Sequence, residues 1–137
     1  MIKRFSISLD EKLLTKFDNY INRRQYVNRS EAIRDMIRKS FVRSEWENVN
    51  KEVMGVISLV YDHHQPQLQE RITEIQHHYH HQIISTTHIH MDHDNCLEVI
   101  IIRGKSPEVQ QLAEKLNAIR GVKDTHLAMS STGKALD

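Results

Sequence analysis

Residues 2–9, Ile-Lys-Arg-Phe-Ser-Ile-Ser-Leu, alternate with the period of a β-strand, yet the helical stretches that follow offer that strand no partner. Phe5, Ile7 and Leu9 fall on one face, and Arg4, Ser6 and Ser8 on the other. Asp10 is placed to cap a helix whose apolar stripe is Leu13, Leu14, Phe17, Tyr20 and Ile21. After a loop at residues 23–27, a second helix carries Ala32, Ile33, Met36, Ile37 and Phe41 on its expected buried side. A lone strand leaves its backbone donors and acceptors unpaired, and so small a unit buries too little surface to stand alone. The economical solution is antiparallel pairing of the strand with its copy from a second chain, four helices packed around the pair.

One face of such a two-stranded ribbon is polar and basic. A β-ribbon fits the major groove of B-DNA, where Arg4 can donate to guanine and the Ser6 and Ser8 hydroxyls can donate or accept. Asn28, Arg29 and Ser30 stand at the amino terminus of the second helix, where exposed N–H groups favour a phosphate. Charge supports this. Residues 1–43 hold eleven Lys/Arg against five Asp/Glu, whereas residues 44–137 hold eight against thirteen. Such asymmetry points to a basic module for nucleic acid joined to an acidic module with another task. A helix-turn-helix is disfavoured, because its reading helix would have to do the work assigned to the strand.

Residues 41–51 are polar and carry Trp46, and they read as the connection. Residues 52–61 are a near-continuous apolar run, expected as a central strand covered on both faces. Asp62-His63-His64-Gln65 breaks it, and Pro66 is expected in the first turn of a helix with the stripe Leu68, Ile72, Ile75 and Tyr79. Two strands, 83–90 and 96–103, are joined through Met91-Asp92-His93-Asp94-Asn95, and Gly104 ends the second. Ser106 is expected to cap and Pro107 to begin a helix with Val109, Leu112, Ala113, Leu116 and Ile119 as its core face, ended by Gly121. Residues 122–130 form a last strand, and the tail after them has no pattern and is expected to be mobile. The order βαββαβ is that of a ferredoxin-like unit and resembles the ACT family of regulatory ligand-binding modules. The expected fold class is α+β, with modules at residues 1–44 and 52–131, a linker at 45–51 and a tail at 132–137.

Chemistry concentrates in the second module. His88 and His90, two apart on a strand, project from one face, and the next strand brings back Cys96, the only cysteine. One cysteine makes no internal disulfide, so Cys96 is a ligand or a core residue. Nine of the ten histidines lie between His63 and His93. On a helical wheel His77 falls opposite the Leu68/Ile72/Ile75/Tyr79 stripe, better placed to reach a neighbouring chain than its own hairpin. His78, His80 and His81 read as a solvated cluster at a helix end; His63, His64 and His93 read as surface residues or weak binders. Two histidines, a thiolate and a fourth ligand suit tetrahedral Zn²⁺; three nitrogens and a thiolate in a plane suit Ni²⁺ or Cu²⁺. Ligand identity leaves that choice open.

The polar-alternating strand and the segment Asn28-Arg29-Ser30-Glu31-Ala32-Ile33-Arg34-Asp35 resemble a ribbon-helix-helix repressor domain. Combined with the spacing His77, His88, His90, Cys96 beside Leu97-Glu98, the chain resembles the nickel-responsive regulators of the NikR family over residues 2–130. That resemblance implies a planar four-ligand Ni²⁺ site, with the helix histidine from one chain and the other three ligands from its neighbour. It implies a homotetramer, a core of four metal-binding modules with a DNA-binding dimer at each end. It further implies Arg4, Ser6 and Ser8 as base readers and Glu31 with Asp35 as a second cation site. The expected function is a repressor whose Ni²⁺-loaded form grips two half-sites of an inverted repeat in double-stranded DNA, with Cu²⁺ and Zn²⁺ as competing ions. Some members carry basic residues at the start of the third helix that touch the DNA backbone; here Gln65 and Pro66 stand there, so that contact is weaker or comes from elsewhere. The rival readings are a regulator sensing an amino acid and a metal-storage or delivery protein. An enzyme is disfavoured, since four protein ligands leave no open position. No apolar run reaches the roughly 18 residues of a membrane span and the amino terminus lacks the apolar run of a secretory signal, so the expected location is the cytoplasm, with no membrane partner.

Overall fold

A computed structural model describes residues 1–137, which divide into two compact units, Met1–Ser40 and Phe41–Asp137. In the first unit, α1 spans Glu11–Arg23. The Asp10 carboxylate caps it by accepting from the Leu13 N–H at 2.9 Å, as its position predicts. The helix closes with the Tyr26 N–H on the Ile21 carbonyl and the Gln25 N–H on that of Asn22, with Gln25 in the left-handed region at φ 62°. Helix α2 spans Arg29–Glu47 and is capped by Asn28, whose Oδ1 accepts from the Glu31 N–H at 2.9 Å.

Two expectations for this unit concern a pair of chains, and the single chain shows what each half leaves open. Residues 1–10 form no strand in the single chain, because a strand exists only through ladder bonds and none of the unit's own segments supplies them. Phe5 and Ile7 therefore stand 70 % and 57 % exposed. Of the expected buried face of α2, Ala32 is buried and Ile33 half-buried, but Met36, Ile37 and Phe41 are exposed. Two helices from so short a stretch of chain cover one side of each other and leave the rest uncovered.

The second unit holds the strands β1 (Glu52–Asp62), β2 (Ile83–His90), β3 (Asn95–Lys105) and β4 (Val122–Met129), with α3 (Leu68–His77) and α4 (Ser106–Asn117). They form an antiparallel sheet in the order β2-β3-β1-β4. Val53, Ile57, Leu59 and Tyr61 from β1 and Cys96, Ile100 and Ile102 from β3 are buried in one cluster with Leu68 and Ile72 of α3 and Val109, Leu112 and Leu116 of α4. The expected βαββαβ order is therefore present, and both helix stripes are buried, although α3 ends before Tyr79 and α4 ends at Asn117, before Ile119 and Gly121.

Several local details differ from expectation. β1 is buried at alternate residues only, because both helices lie against the same face and the other face stays half-exposed. Pro66 does not open α3, since Gln67 adopts a left-handed conformation at φ 64° and the helix begins at Leu68. Ser106 is the first residue of α4 rather than its cap; its hydroxyl donates to the Asn48 carbonyl at 3.3 Å. β3 continues through Gly104. The segment read as a connection is helical to Glu47, because Val42 and Trp46, four residues apart, face one side and pack on the core. The Trp46 Nε1–H donates to the Ser130 carbonyl at 2.7 Å, and the Ser131 hydroxyl donates to Glu45 at 2.9 Å. No helix is long and apolar enough to cross a membrane.

Gly55 marks the tightest approach in this core. A Cβ there would lie 2.7 Å from Val109 Cγ1 and 3.2 Å from Leu127 Cδ1. Gly55→Ala is expected to destabilise the chain by about 1–3 kcal/mol, seen as a lower midpoint in urea unfolding followed by circular dichroism.

Candidate metal centre

Strand register assembles the centre. His90 lies opposite Cys96 across β2 and β3, and Cys96 lies opposite Tyr61 across β3 and β1. The next row on the same face is His88, Glu98 and Leu59. Directly opposed residues share a face, so both histidines, the thiol, the phenol and the carboxylate converge on the helix-covered side of the sheet. At β1 and β3 that side is buried; at the edge strand β2 the helices no longer cover it, and His88 and His90 are exposed.

Cys96 Sγ lies 3.3 Å from His90 Nδ1. It lies equally close, 3.3 Å, to Nδ1 of His63, which the sequence reading assigned to the surface. His63 follows β1 directly, and the β1–β3 pairing carries it to the thiol. The His88 and His90 rings are 4.9 Å apart, centroid to centroid. His77, at the end of α3, is not gathered here; its ring stacks on His80 at 5.4 Å and it lines an outer groove with Gln69, Glu70, Thr73, Glu74 and His78.

Hydrogen bonds fix how His88 presents itself. The Tyr61 hydroxyl is 2.6 Å from Gln69 Oε1, 3.1 Å from His88 Nδ1 and 3.3 Å from Glu98 Oε2. Burial, reinforced by the Glu98 carboxylate, pushes the phenol far above its ordinary pKa, so it stays protonated. It has one proton, and the shortest contact takes it to Gln69. With that proton on Gln69, the His88 tautomer that donates from Nδ1 to the phenol oxygen is the one that completes the bond, and it leaves the lone pair on Nε2 for a ligand. The buried Glu98 carboxylate also accepts from Gln76 Nε2 at 3.0 Å, and Gln76 Oε1 accepts from Thr86 at 3.2 Å, so one polar chain ties α3 to β2 and β3. Burial raises the Cys96 thiol, with Asp62, Asp92 and Glu98 adding to the effect. The thiol is protonated in the metal-free chain and must lose that proton to act as a ligand. A soft sulfur with imidazole nitrogens fits a late first-row divalent ion and not Mg²⁺ or Ca²⁺.

The first unit disposes of its polar residues differently from expectation. Arg4, Ser6 and Ser8 are exposed in the unpaired segment. Asn28 uses its side chain as the cap of α2, leaving Ser30 exposed in the first turn. Arg29 is clamped on Asp18 by two parallel bonds, Nε to Oδ1 and Nη2 to Oδ2, both 2.9 Å, which lower the Asp18 carboxyl and raise the guanidinium. Glu31 pairs with Arg34, and Asp35 accepts from Tyr26 and pairs with Lys39 at 2.8 Å. Each carboxylate thus has its own partner within its helix turn or loop.

Comparison with known proteins covers both units. Residues 54–130 match the family described as the NikR C terminal nickel binding domain, and residues 3–41 match the ribbon-helix-helix proteins of the copG family. A "putative nickel-responsive regulator" of Desulfotalea psychrophila is 62 % identical over 136 residues, 99 % of each chain. The chain belongs to the NikR family. NikR relatives of the same description from Pelobacter propionicus and Geobacter sulfurreducens are 49 % and 48 % identical over 133 residues, covering 97 % of this chain and 96 % of each relative. An uncharacterized protein of Thermotoga maritima shares the fold at a TM-score of 0.52 and 13 % identity, covering 57 % of this chain and 96 % of that one. The NikR relatives are described as regulators, in keeping with a chain that is not an enzyme.

The proton arrangement at His88 has a direct readout. ¹⁵N spectra of the metal-free chain are expected to show His88 as the Nδ1–H tautomer. In Tyr61→Phe, which removes the only acceptor on that nitrogen, the spectrum should move toward the Nε2–H form. An unchanged tautomer would refute the role given to the phenol.

Proposed function

We propose that this chain is a nickel-responsive transcriptional repressor in which His88, His90 and Cys96 of one subunit and His77 of a second subunit hold Ni²⁺. The observation that carries this reading is the row of His90 and Cys96 at 3.3 Å, with His88 beside it and its Nε2 free, at a sheet edge the chain's own helices leave open. The outward position of His77 supports its service to a neighbour, since α3 buries Leu68 and Ile72 on its other side. A bound Ni²⁺ would supply a centre joining two subunits. Cu²⁺ suits the same donors, and Zn²⁺ would compete where the ligands relax toward a tetrahedron.

The rest of the reading concerns the first unit. Residues 2–9 pair with their copy in a second subunit, which covers Phe5 and Ile7 and presents Arg4, Ser6 and Ser8 to base edges in the major groove. With Asn28 spent on the cap and Arg29 on Asp18, the phosphate is left to the backbone N–H groups at the start of α2 and the Ser30 hydroxyl. Glu31 and Asp35 would have to leave Arg34 and Lys39 to accept a second cation. The assembly is a homotetramer, a dimer of dimers, acting in the cytoplasm on an inverted repeat. Ni²⁺ favours the DNA-binding arrangement only to the extent that it binds that arrangement better than others.

Adding Ni²⁺ to the metal-free protein is expected to tighten operator DNA binding by roughly 5- to 150-fold, measured by fluorescence anisotropy; unchanged affinity would reject the reading. Cys96→Ser is expected to lose that response while keeping the native circular dichroism spectrum. Arg4→Ala is expected to weaken operator binding by about 1–3 kcal/mol with Ni²⁺ affinity intact, and equal loss of both would contradict the modular scheme.

A further inference from the structure

We infer that residues 130–133, just after β4, act as a strap that clasps the last turn of α2, and that opening the strap loosens the helix that joins the two units. α2 belongs to both, with residues 29–40 in the first unit and 41–47 in the second. Ser130 bridges sheet and helix by itself. Its N–H donates to the Met54 carbonyl at 2.9 Å, and its carbonyl accepts from the Trp46 Nε1–H at 2.7 Å. An indole has one donor and no acceptor, so Trp46 commits its whole hydrogen-bonding capacity to the strap. The Ser131 hydroxyl gives its single proton to Glu45 Oε2 at 2.9 Å, and its oxygen accepts from the Gly133 N–H at 3.0 Å. Gly133 reaches that position at φ 82°, a left-handed conformation that glycine adopts without strain.

The clasp is closed but not tight. Glu45 is 7 % exposed, and its other oxygen, Oε1, is buried with no donor. A buried carboxylate left half satisfied opposes the closed state, and the Ser131 bond offsets that cost. Without the hydroxyl both oxygens are bare, and the balance moves toward the open form in which water solvates Glu45. Apart from Trp46, the core cluster is built on the sheet and on the segments of α3 and α4, so opening at Trp46 is a local event that leaves the rest of the fold in place. The strap therefore sets how firmly the carboxyl end of α2 is fixed. Its consequence for DNA rests on the function proposed above: a firmly held α2 transmits to the first unit what an ion does in the second.

Amide hydrogen exchange of the metal-free chain tests this, with Trp46, the single tryptophan, as a fluorescence probe. Ser131→Ala is expected to speed exchange at residues 44–48 roughly tenfold or more and to raise acrylamide quenching of Trp46, with exchange in α4 unchanged. Gly133→Pro loses the N–H and cannot adopt φ 82°, so it should act in the same direction with Ser131 intact. The neutral side chain of Glu45→Gln makes a smaller demand, so adding Ser131→Ala to it should speed exchange less than in the wild type. The strap is overturned by exchange at 44–48 indifferent to Ser131→Ala and Gly133→Pro, by acceleration shared with α4, or by equal effects of Ser131→Ala in both backgrounds. Nickel-dependent tightening on operator DNA should shrink in Ser131→Ala, and an undiminished response would overturn the strap's part in coupling. Absence of that tightening in the wild type would defeat the proposed function alone, because the strap is judged on exchange without metal or DNA.

Discussion

Antiparallel pairing of three strands, in one register, is the constraint on which the candidate chemistry depends. β1, β3 and β2 place Tyr61, Cys96 and His90 in one row and Leu59, Glu98 and His88 in the next. A slip of one residue between β2 and β3 would turn both histidines to the opposite face, because side chains alternate with period 2. The register is secured by the core. Val53, Ile57, Leu59, Ile100 and Ile102 lie on the same face as the ligands, so the burial that holds the helices to the sheet also sets the direction of the thiol and the imidazoles.

The same sheet grades the environment from dry to wet. Tyr61, Glu98 and Cys96 are enclosed, whereas His88 and His90 stand at the open edge. Enclosure keeps the phenol and thiol protonated and makes every buried hydrogen bond consequential. Exposure at β2 leaves the imidazole nitrogens reachable from outside the chain. A centre built across that boundary has a rigid, hydrogen-bonded half and an accessible half.

Much of this was legible beforehand. Strand alternation at residues 83–90 placed His88 and His90 together, and the turn 91–95 returned Cys96 beside them, because hairpins join neighbours in sequence and in space. The helix stripes gave βαββαβ for the same reason, local periodicity reporting a local face. His63 was missed although that order implies a central first strand beside the third. Its place at the thiol follows from pairing between residues far apart in the chain, which no short pattern displays. Arg29 was read as a phosphate contact; its commitment to Asp18 joins two helices eleven positions apart and belongs to their packing. Val42 and Trp46 formed a visible four-residue repeat, but the polar residues around them concealed it.

The sequence alone determined the inventory and its order: a polar-faced strand segment, two capped helices, a βαββαβ module and one cysteine among clustered histidines. These depend on residue type and spacing, quantities that local sterics and solvation translate directly into helix, strand or turn. Only the tertiary structure decided that the Tyr61 hydroxyl stands against His88 Nδ1, that His63 joins the thiol, and that α2 runs on to Glu47. Each of those outcomes is settled by a contact between distant segments, and such contacts exist only once the core has closed.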